Sequence, residues 1–167
     1  MHKFRWFVIA IGGICIAMLT FVFFKIRQQE IPKNKSLDIK GTTVSGDSFS
    51  TRSLENLPSL VFFLSPECES CISETTFISN NIRELTERYN ILLILTSDFQ
   101  NSTHSLINYL EFINHSEVLV AFDENHLWIT MYGVKSIPVC VLFDSNKKQV
   151  TRITAPLTSI TQIDSCF

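Results

Sequence analysis

Cys68 and Cys71, in the segment Cys68-Glu69-Ser70-Cys71, are the residues whose type and spacing point most directly to chemistry. Ser59 to Leu64 before them, SLVFFL, is a short apolar run rich in aromatics and reads as a strand buried on both faces. Ser65-Pro66-Glu67 reads as a turn, and a helical pattern follows from about Cys68. A cysteine at a strand-to-helix junction sits among free backbone N–H groups at the positive end of the helix dipole. That environment favours the thiolate. Cys71 lies one helical turn on, within disulfide reach, so Cys68 is the attacking thiol and Cys71 the resolving one. The competing explanations are a zinc site or two inert core cysteines. Zinc needs two further ligands, and no second Cys-x-x-Cys or spaced His pair is present: His104, His115 and His126 stand alone. Cys140 lies in an apolar run and reads as a buried small residue, and Cys166 reads as an exposed one near the terminus.

The elements that position this pair follow from periodicity. Leu37–Lys40 and Ser48–Thr51 read as short strands joined through Gly46-Asp47. After the strand at Ser59, one helix is expected from about Cys68 to Tyr89, with Ile72, Phe77, Ile78, Ile82 and Leu85 on its apolar face. Strands follow at Ile91–Leu95 and Val118–Phe122, with an amphipathic helix between them over Ser102–Ile113. Glu124–Tyr132 reads as a short helix ending near Gly133, Val139–Phe143 and Gln149–Ile153 as strands, and the last residues as a short helix. This alternation predicts an α/β fold: a central mixed sheet with parallel members, an antiparallel edge and flanking helices. Pro138 stands at the start of a strand, where a missing N–H costs least. A cis Ile137-Pro138 bond there would open the Ile137 backbone to an incoming peptide.

Three segments are expected along the 167 residues: a membrane anchor over 1–24, a polar tether over 25–36 and the catalytic domain over 37–167. Trp6 to Phe24 carries no charge and as a helix spans about 28 Å, close to the hydrocarbon thickness of a bilayer. Its length and the lack of a small-x-small site after it favour an uncleaved signal anchor over a signal peptide. Cys15 falls inside this run. Lys3 and Arg5 precede it and Lys25 and Arg27 follow, so charge alone gives little orientation. The net charge of −2, with scattered Lys and Arg, argues against a nucleic-acid partner.

With these motifs in hand, the chain resembles the thioredoxin superfamily, in particular the membrane-anchored TlpA/ResA-like thiol–disulfide oxidoreductases of bacteria. The resemblance rests on a hairpin before SLVFFLSPECESC and on VAFDENHLWITMYGVKSIPVCVLFD, and covers about residues 37–167. It implies a thioredoxin-like fold with an N-terminal β-hairpin, a redox pair opening the first long helix, and a cis-proline beside it at Pro138. It also implies an N-terminal transmembrane helix with the domain outside the cytoplasm. Disulfide-containing proteins would be the substrates and a membrane protein the electron donor. Glu69 matches the glutamate that ResA-like proteins carry after the first cysteine. Cys68, Cys71, Glu69 and Pro138 are therefore the expected catalytic residues, and Ile137, Pro66 and Glu67 the expected substrate contacts. The redox-active group is the Cys68–Cys71 disulfide itself, with no bound cofactor or metal. Two departures stand out. Phe62 replaces the buried Asp of thioredoxin, so a different base is needed, and Ser70 replaces the proline common before the second cysteine. Two other readings compete: a peroxiredoxin-like peroxidase, suggested by Ser65-Pro66-Glu67-Cys68, and a Sco-like copper-binding assembly factor, whose Cys-x-x-x-Cys is one residue longer.

Overall fold

The computed structural model describes residues 35–66, 68–96, 112, 115–154 and 156–167. The expected anchor, most of the tether, Glu67 and the helix expected over Ser102–Ile113 lie outside these, except for Phe112, which is helical and buried. Among the described residues no helix is long and apolar enough to cross a membrane.

Among the described residues, five strands make the central sheet: β3 (Ser59–Leu64), β4 (Asn90–Thr96), β5 (Val118–Asp123), β6 (Val139–Phe143) and β7 (Gln149–Ile153), in the order β5-β4-β3-β6-β7. The pairs β3–β4 and β4–β5 are parallel, while β3–β6 and β6–β7 are antiparallel. The apolar runs of β3, β4 and β6 alternate between two cores, as a strand covered on both faces requires. Leu60, Phe62, Leu64, Leu93, Leu95, Cys140 and Leu142 line one core, with Cys71, Ile78 and Leu85 from the helices above. Val61, Phe63, Leu92, Ile94, Val141 and Phe143 line the other, with Leu37, Ile39, Trp128 and Tyr132. Each fully buried Phe or Leu side chain contributes about 1.5–3 kcal/mol of transfer free energy, so the sheet's position is strongly determined.

The hairpin is present as β1 (Lys40–Thr42) and β2 (Ser48–Ser50), later than expected in the first strand. Leu37 and Ile39 are instead buried outside any regular ladder, with the Ile39 N–H donating to Thr51 Oγ1 at 2.9 Å. The polar stretch meets the domain earlier than expected: Ser36 already bridges Lys148, and the Gln149 N–H donates to the Lys35 carbonyl at 2.9 Å.

The helix expected from Cys68 to Tyr89 is two helices, α1 (Glu69–Asn80) and α2 (Ile82–Arg88). The break falls at Asn81 (φ −119, ψ 12), whose side-chain amide donates to the Phe77 carbonyl at 2.8 Å. Asparagine competes in this way with the backbone for hydrogen bonds, which lowers its helix propensity. The face of α1 is also turned from the expected one. Ile72 is 40% exposed, and the buried positions are Cys71, Glu74, Thr75 and Ile78.

A one-turn 3-10 segment (Glu124–His126) and α3 (Leu127–Tyr132) follow β5, with Asn125 and His126 both at φ 55. Buried Asp123 holds this junction: its two carboxylate oxygens accept the N–H groups of Trp128 and Ile129, each at 2.7 Å. Gly133 (φ 61) closes α3, with the Val134 N–H donating to the Ile129 carbonyl at 2.9 Å. The Arg152 guanidinium from β7 donates to the Gly133 carbonyl at 3.0 Å and to that of Tyr132. The chain is thus held at both ends of α3 before it runs to Pro138. A final helix, α4 (Ile160–Asp164), opens with a Ser159–Gln162 capping box.

Replacing Asp123 by Ala leaves the buried Trp128 N–H and the part-buried Ile129 N–H without an acceptor. The expected loss is roughly 2 kcal/mol in urea unfolding. Asp123→Asn, which keeps one acceptor oxygen, is expected to lose less.

Candidate active site

β3 ends at Leu64, and the chain turns so that the Cys68 N–H donates to the Ser65 carbonyl at 3.2 Å. Cys68 then caps α1. Its backbone is extended (φ −88, ψ 116), its carbonyl accepts the Ile72 N–H at 3.1 Å, and its sulfur accepts the Cys71 N–H at 3.3 Å. Ser, Thr, Asp and Asn usually fill this capping role. Here the acceptor is Cys68 Sγ. Ser70 Oγ lies 3.2 Å from the same sulfur. Burial works to raise the Cys68 pKa, but hydrogen bonds from the Cys71 thiol, the Ser70 hydroxyl and the N–H groups of Cys71 and Ser70 outweigh it, and the net shift is downward. Hydrogen bonding to the charged form is what makes the thiol more acidic.

Cys71 has the opposite environment. It is fully buried, and burial, followed by its hydrogen bond to Cys68, pushes its pKa up to about 12. The Ser65 N–H, 3.5 Å from its sulfur, pulls the other way and does not compensate. Both cysteines are free thiols. Two thiols one turn apart are thus divided into one that ionises readily and one that holds its proton.

Glu74, one turn beyond Cys71 on the buried stripe of α1, was not singled out by sequence reasoning. It is 2% exposed, and its Oε2 accepts the Leu157 N–H at 2.7 Å. Burial raises its carboxyl to about 6, against the pull of that N–H. Its charge acts on both Cys71 and Cys140. Phe62, at the position where the thioredoxin Asp was expected, is fully buried and pairs with Cys140 across β3–β6. The only sequence signal for Glu74 was its spacing: Cys71, Glu74 and Ile78 fall at i, i+3 and i+7, which puts a carboxylate on the apolar face.

The Ile137-Pro138 bond is cis. Val139 pairs with Phe63, so Pro138 falls beside Leu64, at the point where β3 leaves for Cys68. Pro138 is buried and Ile137 half-buried. Ile137 packs against the same core cluster as Cys68 and Cys71. Glu69 is exposed in the first turn of α1, and Glu67 lies outside the described residues. Pro66, expected among the substrate contacts, is buried. Cys140 is 2% exposed, as a core residue should be, and burial raises its thiol pKa. Cys166 is half-buried and donates to the Gln162 carbonyl at 3.3 Å. Among the described residues no group of three or more His, Cys, Asp or Glu side chains is placed to hold a metal ion.

No protein-family model matches the sequence, and no curated protein matches it. Solved structures do match. A secreted disulfide oxidoreductase of Mycobacterium tuberculosis, homologous to E. coli DsbE, aligns with a TM-score of 0.62 over 78% of this chain and 94% of its own, at 20% identity. The exposed lipoprotein thioredoxin of Streptococcus pneumoniae aligns at 0.62 over 77% and 97%, with 16% identity. This is the thioredoxin fold. StoA of Bacillus subtilis shares it at 0.61, over 80% of this chain and 98% of its own, with 12% identity. In this chain Cys68 caps α1, Cys71 lies in its first turn, and the cis Ile137-Pro138 bond precedes β6.

The Glu74 environment has a stability signature. The folded protein holds this proton to about pH 6, whereas the unfolded chain releases it near 4.5. Stability from this group is therefore full below 4.5 and is lost as pH rises through about 6, by about 2 kcal/mol. Glu74→Gln keeps an acceptor for the Leu157 N–H and cannot ionise. Urea unfolding at about pH 4 and about pH 7 is expected to show this loss in the wild type and not in the variant.

Proposed function

We propose that the chain is a membrane-tethered thiol–disulfide oxidoreductase that reduces or exchanges disulfides in proteins outside the cytoplasm. The observation that carries this is the division of acidity within one helical turn: Cys68 lowered by the hydrogen bonds that cap α1, Cys71 raised by burial. A pair of inert core cysteines has no need of it.

The Cys68 thiolate attacks one sulfur of the substrate disulfide. A bond forms between Cys68 and that sulfur, the substrate S–S bond breaks, and the second substrate sulfur leaves as a thiolate that takes up a proton. Cys71 then resolves the mixed disulfide. Its proton passes to Glu74, the Cys71 thiolate attacks Cys68 Sγ, and the first substrate sulfur leaves as a thiolate that is protonated in turn. Two electrons have moved to the substrate, and the protein holds the Cys68–Cys71 disulfide. A dithiol of a partner protein in the membrane restores it by the reverse exchange. Glu74 suits its part because burial keeps its pKa close to neutrality, where it can both accept and return a proton. It supplies the base that Phe62 cannot.

Ile137, half-buried against the core cluster that also packs Cys68, supplies the backbone for substrate pairing, and Ile72, 40% exposed in α1, adds an apolar surface. Glu69 lies in water beside Cys68, where it opposes the thiolate only weakly. The tether reading rests on Trp6–Phe24. The extracytoplasmic reading draws on fold relatives described as secreted or as an exposed lipoprotein.

Cys71→Ser, which can attack but not resolve, is expected to accumulate protein-sized adducts on Cys68 in membranes of the native host, released by dithiothreitol and absent from Cys68→Ser. A Cys71→Ser chain that traps nothing contradicts the proposal. Glu74→Gln is expected to form mixed disulfides at a near-normal rate and to release them roughly a hundredfold more slowly, as read by rapid quench with a model disulfide. Equal slowing of both steps removes Glu74 from the resolving role.

A further inference from the structure

Among the donors to the Cys68 sulfur, the backbone N–H groups of Cys71 and Ser70 come with the helix and would be present with almost any side chains. The Ser70 hydroxyl would not. Its oxygen lies 3.2 Å from Cys68 Sγ, in a contact that either atom can donate while the thiol keeps its proton. Once that proton leaves, the sulfur can only accept, and the contact has a single direction, from Ser70 to Cys68.

We infer that the Ser70 hydroxyl is a catalytic donor to the Cys68 sulfur, holding it as a thiolate in the reduced protein and as the leaving group when a disulfide to Cys68 is broken. This rests on the oxidoreductase reading of the pair. Ser70 is exposed in the first turn of α1, so the hydroxyl contributes nothing to core packing that would explain it. Among the described residues, the groups that act on the Cys68 sulfur are the Cys71 thiol and N–H and the Ser70 hydroxyl and N–H, and no charged side chain is one of them. No cation among them offers the thiolate a counter-charge, so its stabilisation comes from hydrogen bonds, and Ser70 supplies the side-chain share that is free to vary.

A donor to a thiolate favours the reduced, ionised form and makes the sulfur a better leaving group, at some cost in nucleophilicity. In the full-length chain, Ser70→Ala is expected to move the pH midpoint of Cys68 alkylation upward, with about tenfold less thiolate below that midpoint. The Cys68–Cys71 equilibrium with glutathione is expected to shift toward the disulfide by a similar factor. Ser70→Thr, which keeps the hydroxyl, is expected to restore both. A Ser70→Ala chain that matches the wild type in both measurements overturns the inference. So does a Ser70→Thr chain that behaves like Ser70→Ala, because the effect then belongs to the local backbone and not to the hydroxyl. These outcomes are separate from the parent reading, which fails instead if Cys71→Ser traps no mixed disulfide.

Discussion

A helix that begins on a sulfur atom is the interaction on which the rest of the site depends. The first N–H groups of any helix lack acceptors within it, and here Cys68 Sγ takes that of Cys71 at 3.3 Å. The same contact caps α1 and stabilises the thiolate, so structure and reactivity are not separable at this residue. Three residues later the helix has turned its face to the sheet, and Cys71 is fully buried. The difference in acidity between the two thiols is a consequence of helical geometry: one position is open at the helix end, the next is closed against β3 and β6.

The sheet does the remaining positioning. β3 lies between β4 and β6 and is buried on both faces, so its end, and with it the start of α1, is held in place. Pro138 reaches the same point from the antiparallel side through the β3–β6 register. Asp123, Gly133 and Arg152 hold α3 and the loop after it, so the proline is placed by hydrogen bonds as well as by its strand. The buried carboxyl of Glu74 costs stability once ionised, and its charge acts on the Cys71 thiol one turn before it.

Much of this was legible in the sequence, and the exceptions have physical reasons. The strands Ser59–Leu64, Val139–Phe143 and Gln149–Ile153 have the bounds their patterns suggest, because apolar runs ended by turn residues leave little freedom. Cys68 and Pro138 were readable because each stands at a junction between elements. Periodicity misjudged α1. It placed Ile72 inside, although the cysteine beside it takes the buried position, and it ran through Asn81, where a local side-chain hydrogen bond outweighs the helical pattern. Glu74 was passed over because a carboxylate is ordinarily counted as surface. Its acceptor role toward the Leu157 N–H, from a segment 83 residues away in sequence, is a tertiary contact that local patterns do not contain.

The central claim is that Cys68 ionises readily and Cys71 does not. It is tested most directly by alkylating the reduced full-length chain with iodoacetamide across a range of pH and mapping each modified cysteine by mass spectrometry. Cys68 is expected to react first at every pH, with its midpoint below that of an ordinary thiol, while Cys71 stays protected into the alkaline range. Equal rates for the two thiols, or faster modification of Cys71, would contradict the account.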